Sequence, residues 1–193
     1  MSDVALSIVL GIGLAAATGL RVFLPMLIVS GAAYGGHLPL SDGFAWLGTP
    51  SALTMLSVAT LVEILAYCIP GVDNLLDTLA TPAAFIAGTI VSAAVMTDLP
   101  PMVQWTAAVI AGGGIAGLTQ GVTATLRANS TIWTGGLGNL FLSVAELTGA
   151  LVISLLALAA PAAAVALVIL LLWLAIRLLR RLLRTSRPST RQE

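Results

Sequence analysis

Six stretches of the chain are apolar over about 20 residues each, the length that an α-helix needs to cross the hydrocarbon core of a bilayer. Only 8% of the 193 residues are charged, whereas soluble domains carry about 25% charged residues. The sequence therefore predicts an all-α membrane protein with six transmembrane helices in one domain, residues 1–183. The stretches are Val4 to about Ser30, Ala52–Ile69, Leu79–Met96, Met102–Leu126, Asn139–Ala159, and Pro161 to about Arg177.

The fifth and sixth stretches are separated only by a short Ala-Ala-Pro-Ala sequence. A single helix through both would contain about 38 residues and measure ~57 Å, nearly twice the thickness of the hydrocarbon core. We therefore expect a helical hairpin at this point.

The arginines predict the orientation of the chain, because basic loops face the cytoplasm. Six of the eight arginines lie between Arg177 and Arg191, which places the C-terminus in the cytoplasm. Six spans then place the N-terminus there too, with Arg127 in a cytoplasmic loop and Asp98 in an outer turn.

Residues 177–193 form a basic tail. Its first four arginines recur at helical spacing, with leucines on the opposite side of the helix. This pattern is typical of an amphipathic helix that lies on anionic lipid headgroups. We favour anionic lipids over the alternatives, a partner protein or a nucleic acid.

Two pairs of short matches suggest an internal repeat. Arg21 and Arg127 each follow a leucine and stand ten positions after a glycine. A Leu-Ser-Val-Ala sequence precedes both Glu63 and Glu146. The matches occur in the same order, so the sequence predicts a 3+3 repeat over residues 4–98 and 102–177. Chance similarity between common membrane residues is the alternative.

A three-span unit that is repeated once has inverted topology, a plan that recurs in transporters with binding sites near the membrane midplane. We therefore expect Arg21 toward the outer face and Arg127 toward the inner face. The glycine-rich first and fourth helices are close-packing surfaces, and they are the contacts that we expect in a possible homodimer.

Glu63 and Glu146 are the two acids inside apolar stretches. A charge in the bilayer costs ~3 kcal/mol or more, so such residues usually serve a function. Counted along their helices, both carboxylates lie ~10 Å from the cytoplasmic boundary. We expect them to share a polar cavity and to bind a cation or protons. Alternatively, each is neutralised by an internal partner and holds helices together.

A second group of polar residues follows the Pro70-Gly71 break. Asp73 and Asp77 lie one helical turn apart, and Asp73 is a suitable N-cap for the third helix. Charge pairing of Asp77 with Arg127 is plausible. Paired aspartates can hold Mg²⁺ against a diphosphate, but the lipid-transferase enzymes that do so use further aspartates nearby, and this chain has none next to Asp73 and Asp77.

Two glycine turns, each followed by an asparagine, precede helices. The asparagines are Asn74 and Asn139. Backbone N–H groups at such a turn can bind an anion, so both asparagines are candidate binding residues; a flexible loop with an asparagine cap is equally compatible. The candidate gating or charge-pairing residues are Arg21, Arg127, Asp73 and Asp98.

Motifs of known chemistry are missing from the sequence. Nothing resembles a P-loop, a nucleophile elbow, a zinc-protease motif or a nucleotide fingerprint. His37 has no second histidine or cysteine with which to hold a metal, and Cys68 is the only cysteine. We therefore expect no cofactor and identify no catalytic residue.

The chain resembles a bacterial family of small integral membrane proteins known only as a domain of unknown function (four-one-two-six). The resemblance lies in GIGLAAATGLRVFLP, LSDGFAWLGTP, IPGVDNLLDTLATP and TGGLGN, and it covers nearly the whole chain except the arginine tail. It implies a multi-pass protein of the bacterial cytoplasmic (inner) membrane. The family often has an acidic residue after the position of Glu146, where this chain has Leu147.

These features favour a small transporter or channel-like protein for an ion or small solute, with Glu63 and Glu146 as binding or coupling carboxylates. A binder or translocator of anionic lipid headgroups is the second hypothesis, based on the glycine turns and the basic residues. A membrane enzyme that acts on a phospholipid through Asp73 and Asp77 is the third. A purely structural assembly factor is the fourth.

Overall fold

The computed structural model describes residues 3–67, 69 and 72–185, with side chains for residues 4–67, 69 and 76–181. Every regular element in these residues is helical. The elements are α1 (Asp3–Thr18), α2 (Phe23–Tyr34), a 3₁₀ helix (Asp42–Gly48), α3 (Pro50–Ala66), α4 (Val72–Val95), α5 (Pro101–Ala107), a π-helical segment (Ala108–Gly113), α6 (Gly114–Thr134), α7 (Leu137–Ala159) and α8 (Pro161–Thr185).

The number of candidate spans is lower than the six predicted. Four described helices are long and apolar enough to cross a membrane. The 3₁₀ helix and α3, which bend by 67° at their junction, would make a fifth if they count as one span. The described residues therefore contain four or five candidate spans, the pattern of a multi-pass membrane protein. The four are Leu76–Val95, Pro101–Thr134, Leu137–Ala159 and Pro161–Arg181.

The first apolar stretch accounts for much of this difference, because it is not one helix. It breaks after Thr18 and resumes at Phe23, which leaves two short helices, α1 and α2. At the break, a Cβ on Gly19 would lie 2.6 Å from the Cβ of Thr119 in α6, so this close approach requires glycine. Irregular backbone at membrane depth is tolerated where it is buried in protein.

Helix α1 lies at the centre of the bundle and packs against α4, α7 and α8. Small residues permit this packing: a Cβ on Gly13 would lie 3.2 Å from the Cβ of Ala157 in α7, and one on Gly11 would lie 3.3 Å from the Cα of Ser92 in α4. Gly11 and Gly13 thus form close contacts within the chain.

Helices α5 and α6 form one continuous span through the π-helical segment. Gly112 in that segment lies against α4, where a Cβ would be 2.6 Å from the Cβ of Ser92 and 2.9 Å from the carbonyl oxygen of Gly88. A π-helical turn inside an α-helix often marks a functional region.

We expect Gly112→Ala to destabilise the protein by about 1–3 kcal/mol, because the new methyl group overpacks the contact with α4. The matched control is Gly114→Ala, where a Cβ would meet no atom within 4 Å; there, the higher helix propensity of alanine favours stability by up to ~1 kcal/mol. Denaturation by SDS in mixed micelles measures both changes. Equal effects of the two substitutions would contradict the tight α4 contact.

The predicted hairpin is confirmed. Helix α7 ends at Ala159 and α8 begins at Pro161, and the two helices pack together. Helix α8 then continues unbroken to Thr185, ~38 Å in all, so residues 177–185 extend the preceding span instead of forming a separate surface helix. Arg177 lies over the ring of Trp173, 5.0 Å from its centroid. Arg187 and Arg191 lie outside the described residues.

Candidate functional site

The break between α1 and α2 faces the C-terminal end of α3, the start of α4 and the middle of α6 and α7. Six side chains from these elements come together in a buried group, which we call the arginine cluster. Its members are Arg21, Tyr67, Asp77, Arg127, Ser143 and Glu146.

The ring of Tyr67 holds the two arginines of the cluster. The guanidinium carbon of Arg21 lies 4.0 Å from the ring centroid, and that of Arg127 lies 4.4 Å from it. Cation–π attraction of this kind is worth about 2 kcal/mol or more when it is desolvated. Two like charges so close together need nearby carboxylates to offset their repulsion.

Glu146 is the carboxylate that the two arginines share. Nη2 of Arg127 donates a hydrogen bond to its Oε2, and Nη2 of Arg21 lies 3.7 Å from the same atom. Ser143 stands one turn earlier on the same face of α7. Nη2 of Arg21 donates to the carbonyl oxygen of Ser143 at 2.8 Å and to its Oγ at 2.5 Å.

Asp77 provides the second carboxylate. Its Oδ2 lies 3.3 Å from Nε of Arg127, the charge pair considered from the sequence. The hydroxyl of Tyr67 donates to its Oδ1 over 3.4 Å, a long hydrogen bond. Asp77 therefore links the ring of Tyr67 to the guanidinium group above it.

Glu63 lies at the edge of the cluster and caps a helix. Its carboxylate accepts hydrogen bonds from the backbone N–H groups of Val22, at 2.8 Å, and Phe23, at 3.1 Å. These groups begin α2, where the break leaves them without helical partners, and a negative charge at a helix N-terminus is stabilising. Glu63 thus has an internal partner, which agrees with the alternative given above, that a partner within the protein stabilises its charge.

The arginines of the cluster retain hydrogen-bond donors that are not used. Both are only 2% exposed, yet within the described part of the chain Nε and Nη1 of Arg21 and Nη1 of Arg127 have no hydrogen-bond partner. Each buried unsatisfied group costs about 1–3 kcal/mol, and more when it is charged. The cluster therefore has a surplus of donors and is complementary to an anion rather than to a metal cation.

Two apolar cavities flank the cluster. The first lies between α1, α6, α7 and α8, has a volume of about 200 Å³, and has Glu146 and Leu20 on its wall. The second lies between α2, α3 and α4, has a volume of about 420 Å³, and has Glu63, Tyr67 and Val22 on its wall. The residues before and after Arg21 in the sequence thus line different cavities, and buried Arg21 stands between them.

The structure brings four of the predicted site residues together, namely Arg21, Asp77, Arg127 and Glu146. Our expectation that Arg21 and Arg127 lie near opposite membrane faces does not hold, because both reach Glu146. Glu63 does not share a cavity with Glu146; the two carboxylates line different ones.

The other predicted site residues lie elsewhere. Asn139 precedes Ser143 by one turn of α7, and its Nδ2 donates to Oγ1 of Thr131 in α6 at 2.8 Å. Asp98 is exposed in the loop before α5, where Oγ1 of Thr97 donates to it at 3.2 Å. The side chains of Asp73 and Asn74 lie outside the described residues.

Among the residues described, no three His, Cys, Asp or Glu side chains form a group that could hold a metal ion.

Tyr67 and Ser143 were missed by the sequence reasoning. Tyr67 is a lone tyrosine at the end of an apolar helix, just before the Pro70-Gly71 break. Ser143 stands three residues before Glu146, on the same face of a helix. This spacing could have identified Ser143 as a neighbour of the buried carboxylate, whereas tyrosines near the ends of spans are common at membrane interfaces.

The model of a family described as "Domain of unknown function (DUF4126)" matches residues 8–181. The match spans every element from α1 to α8 and includes all six members of the arginine cluster. No curated protein and no solved structure matches the chain.

Proposed function

The chain belongs to the DUF4126 family, whose function is unknown, and from the arginine cluster we propose that it carries a small anion across the membrane together with a proton. Arg21 and Arg127 bind the anion, and Glu146 carries the proton. One observation supports this most strongly: Glu146 is shared by two buried arginines, and among the described residues some of their N–H groups have no hydrogen-bond partner.

The charge balance of the cluster explains the coupling. While Glu146 is ionised, it is itself the anion that the two arginines hold. Protonation removes that negative charge and leaves a buried guanidinium uncompensated, at a cost of several kcal/mol. An anion from outside restores the balance by taking the place of the carboxylate. The proton on Glu146 and the bound anion are therefore present together, and a carrier would move both.

The broken first stretch also supports a carrier. Discontinuous helices that surround a central site are a common feature of secondary transporters, in which access alternates between the two sides. Here the break places Arg21 between two cavities, and Glu63 holds the start of α2. Asp77 is engaged with Arg127 and Tyr67, so the arrangement offers little support for a Mg²⁺-dependent enzyme.

Proteoliposomes with a trapped pH indicator and clamped membrane potential test the proposal. We expect an inward nitrate gradient to acidify the interior and to drive nitrate uptake. Arg21→Met should lower nitrate uptake by about 10–100-fold, because a hydrogen bond to a charged group is worth about 1.5–3 kcal/mol. Glu146→Gln should abolish the proton movement while nitrate still enters. Without the glutamate carboxylate, Arg21 and Arg127 remain available to bind nitrate in every step of the cycle.

The control is Asp98→Asn, an exposed loop residue outside the cluster, which should behave as the wild type. If size-exclusion chromatography shows that Arg21→Met does not fold, Arg21→Lys, which keeps the charge, replaces it in the uptake measurement. Nitrate uptake in wild-type liposomes no faster than in protein-free liposomes would overturn the proposal. So would undiminished uptake in a folded Arg21 variant.

A further inference from the structure

We infer that the anion carried by this protein is an amphiphile, with a charged head that binds the arginine cluster and a hydrocarbon tail that occupies the cavity between α1, α6, α7 and α8. This inference rests on the proposed function and narrows the class of substrate. Its basis is the lining of the cavity, its opening and the position of Glu146 in its wall.

The lining of this cavity suits hydrocarbon. Apart from Glu146 and the hydroxyls of Thr119 and Thr123, the residues on its wall are apolar or glycine. A strongly hydrated inorganic ion that entered here would exchange its water for methyl groups, which is unfavourable. A hydrocarbon tail that enters the same space from water removes its apolar surface from water, which is favourable.

The cavity opens toward the lipid. Leu171 of α8 lines it and is 40% exposed, and its neighbours Leu170 and Leu174 on the same helix are exposed apolar residues. Exposed apolar side chains of a membrane protein contact lipid. An amphiphile dissolved in the bilayer can therefore reach the cavity from the side. Its head would then meet Glu146 at the inner wall.

Glu146 shows what kind of head the arginines accept. Its carboxylate reaches them from an apolar helix, so it already combines a charged oxygen pair with a hydrocarbon stem. A carboxylate or sulfonate head offers the arginines charged oxygens of the same kind. The second cavity is less suitable for the head, because the carboxylate in its wall, that of Glu63, is held by backbone N–H groups of α2.

A series of n-alkylsulfonates, from methanesulfonate to octanesulfonate, tests the inference, because sulfonates stay charged and do not cross the bilayer as neutral acids. The measurement is competition with nitrate uptake in the proteoliposomes. Each added CH₂ should lower the half-inhibitory concentration by about 4-fold until the cavity is full, which corresponds to ~0.8 kcal/mol per methylene.

Partition of longer sulfonates into the bilayer could imitate this trend, so cavity variants are needed. Gly149→Leu fills the cavity from α7, where a Cβ would lie 3.1 Å from Leu20; Ala175→Leu fills it from α8. Both should remove the dependence on chain length. The matched control is Ala107→Leu, which fills a surface hollow with no charged residue in its lining and should keep the wild-type dependence.

The outcomes separate the two proposals. If methanesulfonate and octanesulfonate compete equally well, or if the cavity variants keep the wild-type dependence, the amphiphile inference is wrong and anion transport stands. If neither nitrate nor any alkylsulfonate interacts with the wild-type protein, the proposed function itself falls.

Discussion

Glu146→Gln is expected to destabilise the protein by about 3–5 kcal/mol, the usual cost of breaking a buried charge pair by removing one partner. The substitution leaves Arg21 and Arg127 with Asp77 as the only carboxylate of the cluster. Both guanidinium groups are 2% exposed, so water cannot readily replace the lost charge. The free energy of unfolding in mixed micelles measures the change.

Added nitrate is expected to recover part of this loss, because a bound anion restores the missing charge and stabilises the folded state by mass action. Glu63→Gln is the matched control: its amide oxygen can still accept one of the two hydrogen bonds from the start of α2, so the expected loss is smaller, about 1–2 kcal/mol. A similar loss for both variants, with no response to nitrate in either, would contradict the central role given to Glu146.

Tyr67→Leu is expected to cost about 2–4 kcal/mol, because it removes the aromatic face that both guanidinium groups contact. Tyr67→Phe keeps that face and loses only the long hydrogen bond to Asp77, so we expect it to cost less than ~1 kcal/mol. Unfolding in mixed micelles compares the two. Equal losses would mean that the hydroxyl, not the ring, holds the cluster.

A double-mutant cycle tests the same contact directly. If the ring of Tyr67 stabilises the charge of Arg21, the losses caused by Tyr67→Leu and Arg21→Met are not additive. Additive losses in that cycle would remove the cation–π contribution from the description of the cluster.

Features that depend on local composition could be predicted from the sequence. The end of α7 and the start of α8 follow from the length limit on a span and from Pro161. The start of α3 follows from Thr49 and Pro50, since Oγ1 of Thr49 accepts from the N–H of Ala52 at 3.2 Å. In each case the residues that determine the boundary are adjacent to it.

The break in the first stretch could not be predicted in the same way. Its residues are as apolar as those on either side, apart from Arg21. What stabilises the break is distant in the sequence: Glu63 bonds the start of α2, and Ser143 bonds Arg21. Gly19 was a local indication, but glycine is common in helices that merely pack closely.

The charged residues of the site were predictable one at a time: Glu146 because charge in a membrane is costly, and Arg127 as a possible partner of Asp77. Their grouping was not, because the inverted-repeat argument placed Arg21 and Arg127 near opposite faces. The two matched segments in fact differ in conformation: the chain is broken before Arg21, whereas α6 continues through Arg127 to Thr134.

The separation of Arg21 from its partners has a consequence for biosynthesis. Ser143 follows Arg21 by 122 residues, so when α1 and α2 leave the ribosome no part of α7 exists. A helix of 12 residues is ~18 Å long and cannot cross the bilayer by itself. We therefore expect α1 and α2 to remain at the insertion machinery, where the guanidinium group of Arg21 stays hydrated. They would enter the bilayer fully only after α7 has been synthesised.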